Sequence, residues 1–257
     1  MPLQNNKSLG QHWLKNRDIL NTIADLAAGD KGTAATLCLE IGPGLGTLTS
    51  SLLKKFDRVI AVEYDEKLAT NLPKSFPGTN LQVVHDDFMN YDLSTIPAPY
   101  VVAGNIPYYI TSPIIDKLLT TDNPPERIVL LIQKEVAERI ADERETFLSI
   151  RCKNRADITL GPVVKRDEFT PPPKVDSQII ILTPHPPIVD DKILAFIKTG
   201  FKEPRKKVTH NLSTYMPRDC VKDLFIKNRI NIDIRPAEIH LKDWQKIYKI
   251  LQNTSQT

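Results

Sequence analysis

Asn105-Ile106-Pro107-Tyr108-Tyr109 follows the apolar run 100–103 with only Gly104 between, and its residue types suit one kind of chemistry. A carboxamide oxygen from Asn105 and a backbone carbonyl from Ile106 or Pro107 can together accept both N–H bonds of an exocyclic amine on a flat heterocycle. Such bonds draw the nitrogen toward a pyramidal geometry and aim a lone pair that the ring would otherwise delocalise. Tyr108 offers a face on which the ring can stack outside its helix. No strong base is required, because the alkylated nitrogen is acidic and loses its proton to water. A tight Asn-Pro turn backed by core tyrosines is the alternative reading of the same residues.

A second constellation, Leu39-Glu40-Ile41-Gly42-Pro43-Gly44-Leu45-Gly46-Thr47, closes an apolar strand and opens a helix. Glycines there allow a tight turn and close approach of a ligand to the backbone. Glu63 ends the next strand 21 residues after Gly42, where nucleotide folds place the acid that grips ribose hydroxyls. A structural turn with an incidental acid is the competing reading. Dinucleotide loops want G-x-G-x-x-G, yet position 47 is Thr and the third glycine, Gly46, arrives one place early. Glu40 beside the loop would repel a pyrophosphate, whereas a sulfonium such as that of S-adenosylmethionine would welcome carboxylates. Asp86 and Asp87, after the third strand, can accept from the amine of the ligand's adenine, with Phe88 placed to stack; a helix cap is the other use of an Asp at a strand end.

The apolar pattern predicts the elements that must hold these groups. Strands are expected at 36–41, 58–63, 81–84, 100–103, 127–132 and 178–182, and helices at 48–55, 66–72, 113–119 and 134–141. Unbroken apolar strands alternating with helices mean an α/β fold, a doubly wound, mostly parallel Rossmann-like sheet covered on both faces. Asp18 is expected to cap an N-terminal helix. Prolines 184, 186 and 187 read as a linker, so a catalytic domain over 1–185 and a small basic helical domain over 188–257 are expected. From Lys192 onward there are 14 Lys and Arg against 6 Asp and Glu, while the preceding residues carry a small acidic excess. No window reaches the ~20 apolar residues of a membrane span, and the N-terminus lacks a signal-peptide core. Cys38, Cys152 and Cys220 are odd in number and far apart, which suits reduced thiols and gives no metal site. A cytoplasmic, metal-free monomer is the expectation.

These stretches, with KSLGQHWL at 7–14, VEYDEKLA at 62–69, GNIPYYITSP at 104–113, QKEVAERI at 133–140, FTPPPKVDS at 169–177 and FKEPRKKVTHNL at 201–212, run in one order along nearly the whole chain. Together they resemble the ribosomal RNA adenine N6,N6-dimethyltransferases, in particular the bacterial small-subunit (KsgA) type. The resemblance implies that S-adenosylmethionine is contacted by His12, Leu14, Gly42, Gly44, Glu63, Asp87 and Asn105. It implies catalytic roles for Asn105, Pro107 and Tyr108, with Phe169 facing Tyr108 across the target base. It implies dimethylation of two adjacent adenines in the 3′-terminal hairpin loop of small-subunit rRNA during 30S biogenesis. Lys7, Arg205, Lys206 and Lys207 are the expected RNA-phosphate contacts, with Lys15, Arg17, Arg151, Lys153 and Arg155 as further basic groups. Two departures from the family's habit are His12 and Trp13, where Asn and Phe are commoner, and a shortened segment at 141–150. A large-subunit enzyme of the macrolide-resistance type, and a non-catalytic assembly or transcription factor on the same fold, are the alternatives; a nucleotide-dependent dehydrogenase is a third.

Overall fold

The computed structural model of the chain describes residues 12–29 and 35–254; the expected RNA contact Lys7 lies outside the described residues. The chain packs as two compact units, one drawn from Met1–Glu138 and Ala156–Pro184, the other from Arg139–Arg155 and His185–Thr257. The break expected after residue 185 is therefore one of several, and 139–155 packs with the C-terminal unit.

In the first unit, β1 (Trp13–Leu14) and α1 (Arg17–Ala28) precede the sheet strands β2 (Leu37–Ile41), β3 (Arg58–Glu63), β4 (Leu81–His85), β5 (Tyr100–Asn105) and β6 (Arg127–Gln133). Short helices α2 (Thr49–Leu52), α3 (Glu66–Asn71) and α4 (Thr111–Thr120) lie between them, and α5 (Lys134–Ala141), whose last three residues belong to the second unit, follows β6. Strands β7 (Ala156–Val164), β8 (Phe169–Thr170) and β9 (Ser177–Pro184) complete the set. The main sheet runs β4-β3-β2-β5-β6-β9-β7. Its first five strands are parallel, and β9 is antiparallel to both β6 and β7. Central strands are apolar without alternation because both faces are covered: every residue of β2 is buried, whereas edge strand β4 is only partly so.

Two local differences from the sequence reading have simple causes. Helix α1 is capped by Asn16, whose side chain accepts from the Asp18 and Ile19 amides, and Asp18 instead sits in the first turn. That placement still favours the helix through its dipole. Strand β7 is an addition. Gly161-Pro162 interrupts its pattern, and the register with β9 shifts between Leu160 and Val163. An edge strand tolerates a proline, since one side needs no donor.

The second unit holds α6 (Phe147–Lys153), α7 (Asp191–Gly200), α8 (Val208–Asn211), α9 (Arg218–Lys227) and α10 (Leu241–Thr254) around its own core. Thr146 and Ser149 form a capping box that starts α6, and Ile150 is buried among Val189, Phe196 and Trp244. This burial explains why 139–155 joins the later helices. Glu145, almost wholly buried, accepts from Ser149 Oγ at 2.7 Å and from Lys153 Nζ at 3.1 Å. Gly200 ends α7 against the six-membered ring of Trp244, with no room for a Cβ. Gly200→Ala should therefore cost about 1–3 kcal/mol of stability, the usual range for overpacking, and a urea unfolding curve will show it. A variant as stable as the parent would mean that Trp244 packs elsewhere.

Candidate functional site

Strand order reverses direction beside β2: the chain leaves β2 for β3 on one flank, and leaves β5 for β6 on the other. Ligands in open α/β sheets bind outside the carboxyl ends of strands at such a switch. Here Ile41 pairs with Gly104, so the glycine loop and the Asn105 loop leave the sheet side by side. Between them opens a cavity of about 310 Å³. His12, Leu14, Gly42, Gly44, Glu63, Asp87, Phe88, Asn105, Pro107 and Tyr108 all line it. Ten of the residues singled out in the sequence thus converge.

The glycine loop is shaped by backbone angles. Gly42 has φ +63°, its amide donates to the Val62 carbonyl at 2.9 Å, and a Cβ built on it would meet nothing within 4 Å. An L-residue is strained at that angle, and its side chain would project into open space beside the cavity. Glu63 braces the loop: Oε2 accepts from the Gly44 amide and Oε1 from the Asp65 amide, both at 2.9 Å. Burial pushes its carboxyl pKa up, while those backbone donors hold it down. Glu40 is buried completely, with Thr49 Oγ1 donating to Oε2 at 2.6 Å and Oε1 without a partner. Burial foremost, with the nearby Glu63 charge also acting, raises Glu40 to about 8. At neutral pH it is therefore mostly protonated, which corrects the expectation of a carboxylate repelling phosphate there.

In the other loop, Asn105 Nδ2 donates to the His12 backbone carbonyl at 2.8 Å. A carbonyl only accepts, so the amide's orientation is set and its oxygen is the group left for a ligand. The β1–β8 pair brings His12 beside Pro171; the ring's Nδ1 carries a proton and donates to the Pro171 carbonyl at 2.8 Å. Tyr108 is held twice. Its hydroxyl is 2.7 Å from Ser177 Oγ, and its ring stacks on His12 with centroids 6.0 Å apart and planes at 23°. Phe169 is a correction: paired with Leu14 across β1–β8, it is only 2% exposed, belongs to the core and does not line the cavity. The aromatic neighbour of Tyr108 is His12.

Ser177 and Trp13 are contributors the sequence reading gave no role. Ser177 closes the FTPPPKVDS stretch, and a small hydroxyl residue opening a strand gives no signal of its partner. Trp13 lines the cavity with its buried indole N–H unpartnered. Among the basic groups, Arg205 and Lys206 are exposed. Lys207 pairs with Asp233 at 2.5 Å, Lys153 with Glu145, and Arg155 with Asp191 at 3.6 Å, so these three are partly spent within their own unit.

A family model described as ribosomal RNA adenine dimethylase matches residues 3–253. The chain belongs to the ribosomal RNA adenine dimethylase family. It is thereby an enzyme of the methyltransferase class, on a Rossmann-like sheet. Relatives called ribosomal RNA small subunit methyltransferase A are 37% identical in Acaryochloris marina, over 93% of this chain and 94% of that protein, and 37% identical in Rippkaea orientalis, over 98% and 99%. A dimethyladenosine transferase structure from Plasmodium falciparum superposes with a TM-score of 0.79 at 27% identity, covering 95% of this chain and 98% of that one. The 23S rRNA methyltransferase ErmE superposes with 0.74 at 26%, covering 93% and 99%.

The family leaves the state of Glu40 to be measured. Folded chain keeps a proton on Glu40 that unfolded chain releases above the usual carboxylate range. The stability this contributes is complete at low pH and is lost as pH rises toward about 8. Glu40→Gln cannot ionise, so the substitution should be on the order of 3 kcal/mol more favourable near pH 8 than near pH 5. Urea midpoints at the two pH values decide it; equal effects would return Glu40 to ordinary acidity.

Proposed function

We propose that the chain transfers methyl groups from S-adenosylmethionine to the N6 amines of two adjacent adenines in the 3′-terminal hairpin loop of small-subunit rRNA, during 30S assembly. The observation that carries this reading is the Asn105 amide, turned by the His12 carbonyl so that its oxygen serves the cavity where Glu63 and Asp87 also meet.

The residues fit such a donor. Gly42 leaves space where any side chain would intrude, Glu63 presents a carboxylate to ribose hydroxyls, and Asp87 with Phe88 suits an adenine. Glu40 adds a buried oxygen with no partner. When bound, the donor supplies an electrophilic methyl on a sulfonium. Asn105 Oδ1 and a backbone carbonyl at Ile106 or Pro107 accept the target amine's N–H bonds and aim its lone pair. Tyr108 stacks on the extruded base, its ring fixed by Ser177 and flanked by His12. Stacking contributes about 1–3 kcal/mol per base, enough to offset much of the few kcal/mol of unstacking. A loop adenine is partly unpaired already. Arg205 and Lys206 supply phosphate contacts, with affinity falling as salt rises. The small-subunit assignment draws on the names of the curated relatives.

Incubation with donor and unmethylated small subunits should yield N6,N6-dimethyladenosine on nucleoside mass analysis. Activity on naked large-subunit RNA alone would move the substrate to the resistance type. Asn105→Ala should lower the rate on the order of 100- to 1000-fold, as for loss of one preorganised group at the reacting centre, with particle binding kept. An unchanged rate would remove Asn105 from the reaction.

A further inference from the structure

The turn after β4 presents three backbone carbonyls, those of Phe88, Met89 and Tyr91, to a single side chain. The Lys117 ammonium, on α4, donates to them at 2.8, 2.8 and 2.6 Å. An ammonium has three donors and no acceptor, so these bonds use its whole donor set. The same nitrogen lies 5.3 Å from the centre of the Phe88 ring, within cation–π range. Ile114, Ile115, Leu118 and Leu119 on the same helix are buried, and Lys117 is half-buried among them. Burial lowers its pKa, while Asp86, Asp87 and Asp92 favour its charged form. A lysine in that setting is held by what it binds.

The turn it grips is the one that carries Asp87 and Phe88 to the cavity. Asp87 Oδ1 accepts from the Met89 amide at 2.9 Å, and its carbonyl accepts from the Asn90 and Tyr91 amides at 2.8 and 3.0 Å. One carboxylate oxygen thus shapes the turn, which leaves the other for a ligand. Lys117 is not among the residues lining the cavity; whatever it does there, it does through this turn.

We propose that Lys117 is a positioning residue for the donor's base, clamping the turn at 86–92 so that the Asp87 carboxylate and the Phe88 ring stand ready at the cavity wall. This rests on reading the cavity as the donor site. Without the ammonium, three carbonyls lose a common partner, the turn relaxes, and the donor must order it on binding. Asn105 and Tyr108 stand on a different loop, so the chemical step is untouched.

The test uses the full chain, S-adenosylhomocysteine calorimetry, and initial rates on unmethylated small subunits at varied donor. Lys117→Met should weaken S-adenosylhomocysteine binding about tenfold or more, the scale of losing charge-assisted hydrogen bonds. It should raise the donor KM in parallel and leave kcat within about twofold. Lys117→Arg, which keeps the charge and donors, should recover most of the affinity. If Lys117→Met does not fold, Lys117→Arg and Lys117→Gln carry the test, with affinity falling from wild type to Arg to Gln. Equal affinities across the set, or a loss confined to kcat, overturns the proposal. Failure of the wild type to bind S-adenosylhomocysteine at all overturns the donor-site reading, and this proposal with it.

Discussion

Two neighbouring parallel strands that send their chains to opposite flanks cannot have their exits filled by the same connection. That constraint, at β2 and β5, is what the rest of the site depends on. The pairing of Ile41 with Gly104 places one loop's glycines beside the other loop's carboxamide. Neither loop alone makes a binding site. The glycine loop offers a floor without side chains, and the Asn105 loop offers directed acceptors and an aromatic face. The β1–β8 pair then closes one side, bringing the His12 carbonyl to Asn105 and the His12 ring to Tyr108.

Much of this could be read from residue order because the local signals agree with the global fold. Central strands appear as apolar runs only because both faces are covered, and that same fact makes them visible. Asn105 and Glu63 were legible as polar residues ending such runs. What escaped was set by contacts distant in sequence. Lys117 in an apolar helix looks like a solvated charge until three carbonyls from another turn are placed around it. Phe169 shares a stretch with residues that do reach the cavity region, yet its strand faces the core. The segment 139–155 reads as a continuation of the first unit, and only the burial of Ile150 among later helices assigns it elsewhere. The Gly161-Pro162 break hid β7 because it violates strand propensity at an edge, where the violation costs little.

The cavity also stores charge in a form that composition does not show. Burial disfavours ionisation of both Glu40 and Glu63, the Glu63 charge adds to that at Glu40, and the two carboxyls are held differently. Glu63 has backbone N–H groups on both oxygens. Glu40 has Thr49 alone, through its hydroxyl and backbone N–H, and an orphan oxygen. An acid kept neutral by its surroundings is a latent anion, available to any cation that enters. The carbonyl-bound Lys117 is the converse arrangement, a charge kept because dipoles and acids surround it.

The order β6-β9-β7 has a consequence for how firmly the platform is held. Although it is the last strand in sequence, Ser177–Pro184 is an interior strand of the sheet. It is paired along both sides, with Ile128–Gln133 on one flank and with Ala156–Val164 on the other. The first residue of that strand, Ser177, is the one whose hydroxyl steadies Tyr108. The aromatic shelf of this protein is therefore anchored to a strand with neighbours on both flanks, not to a free edge.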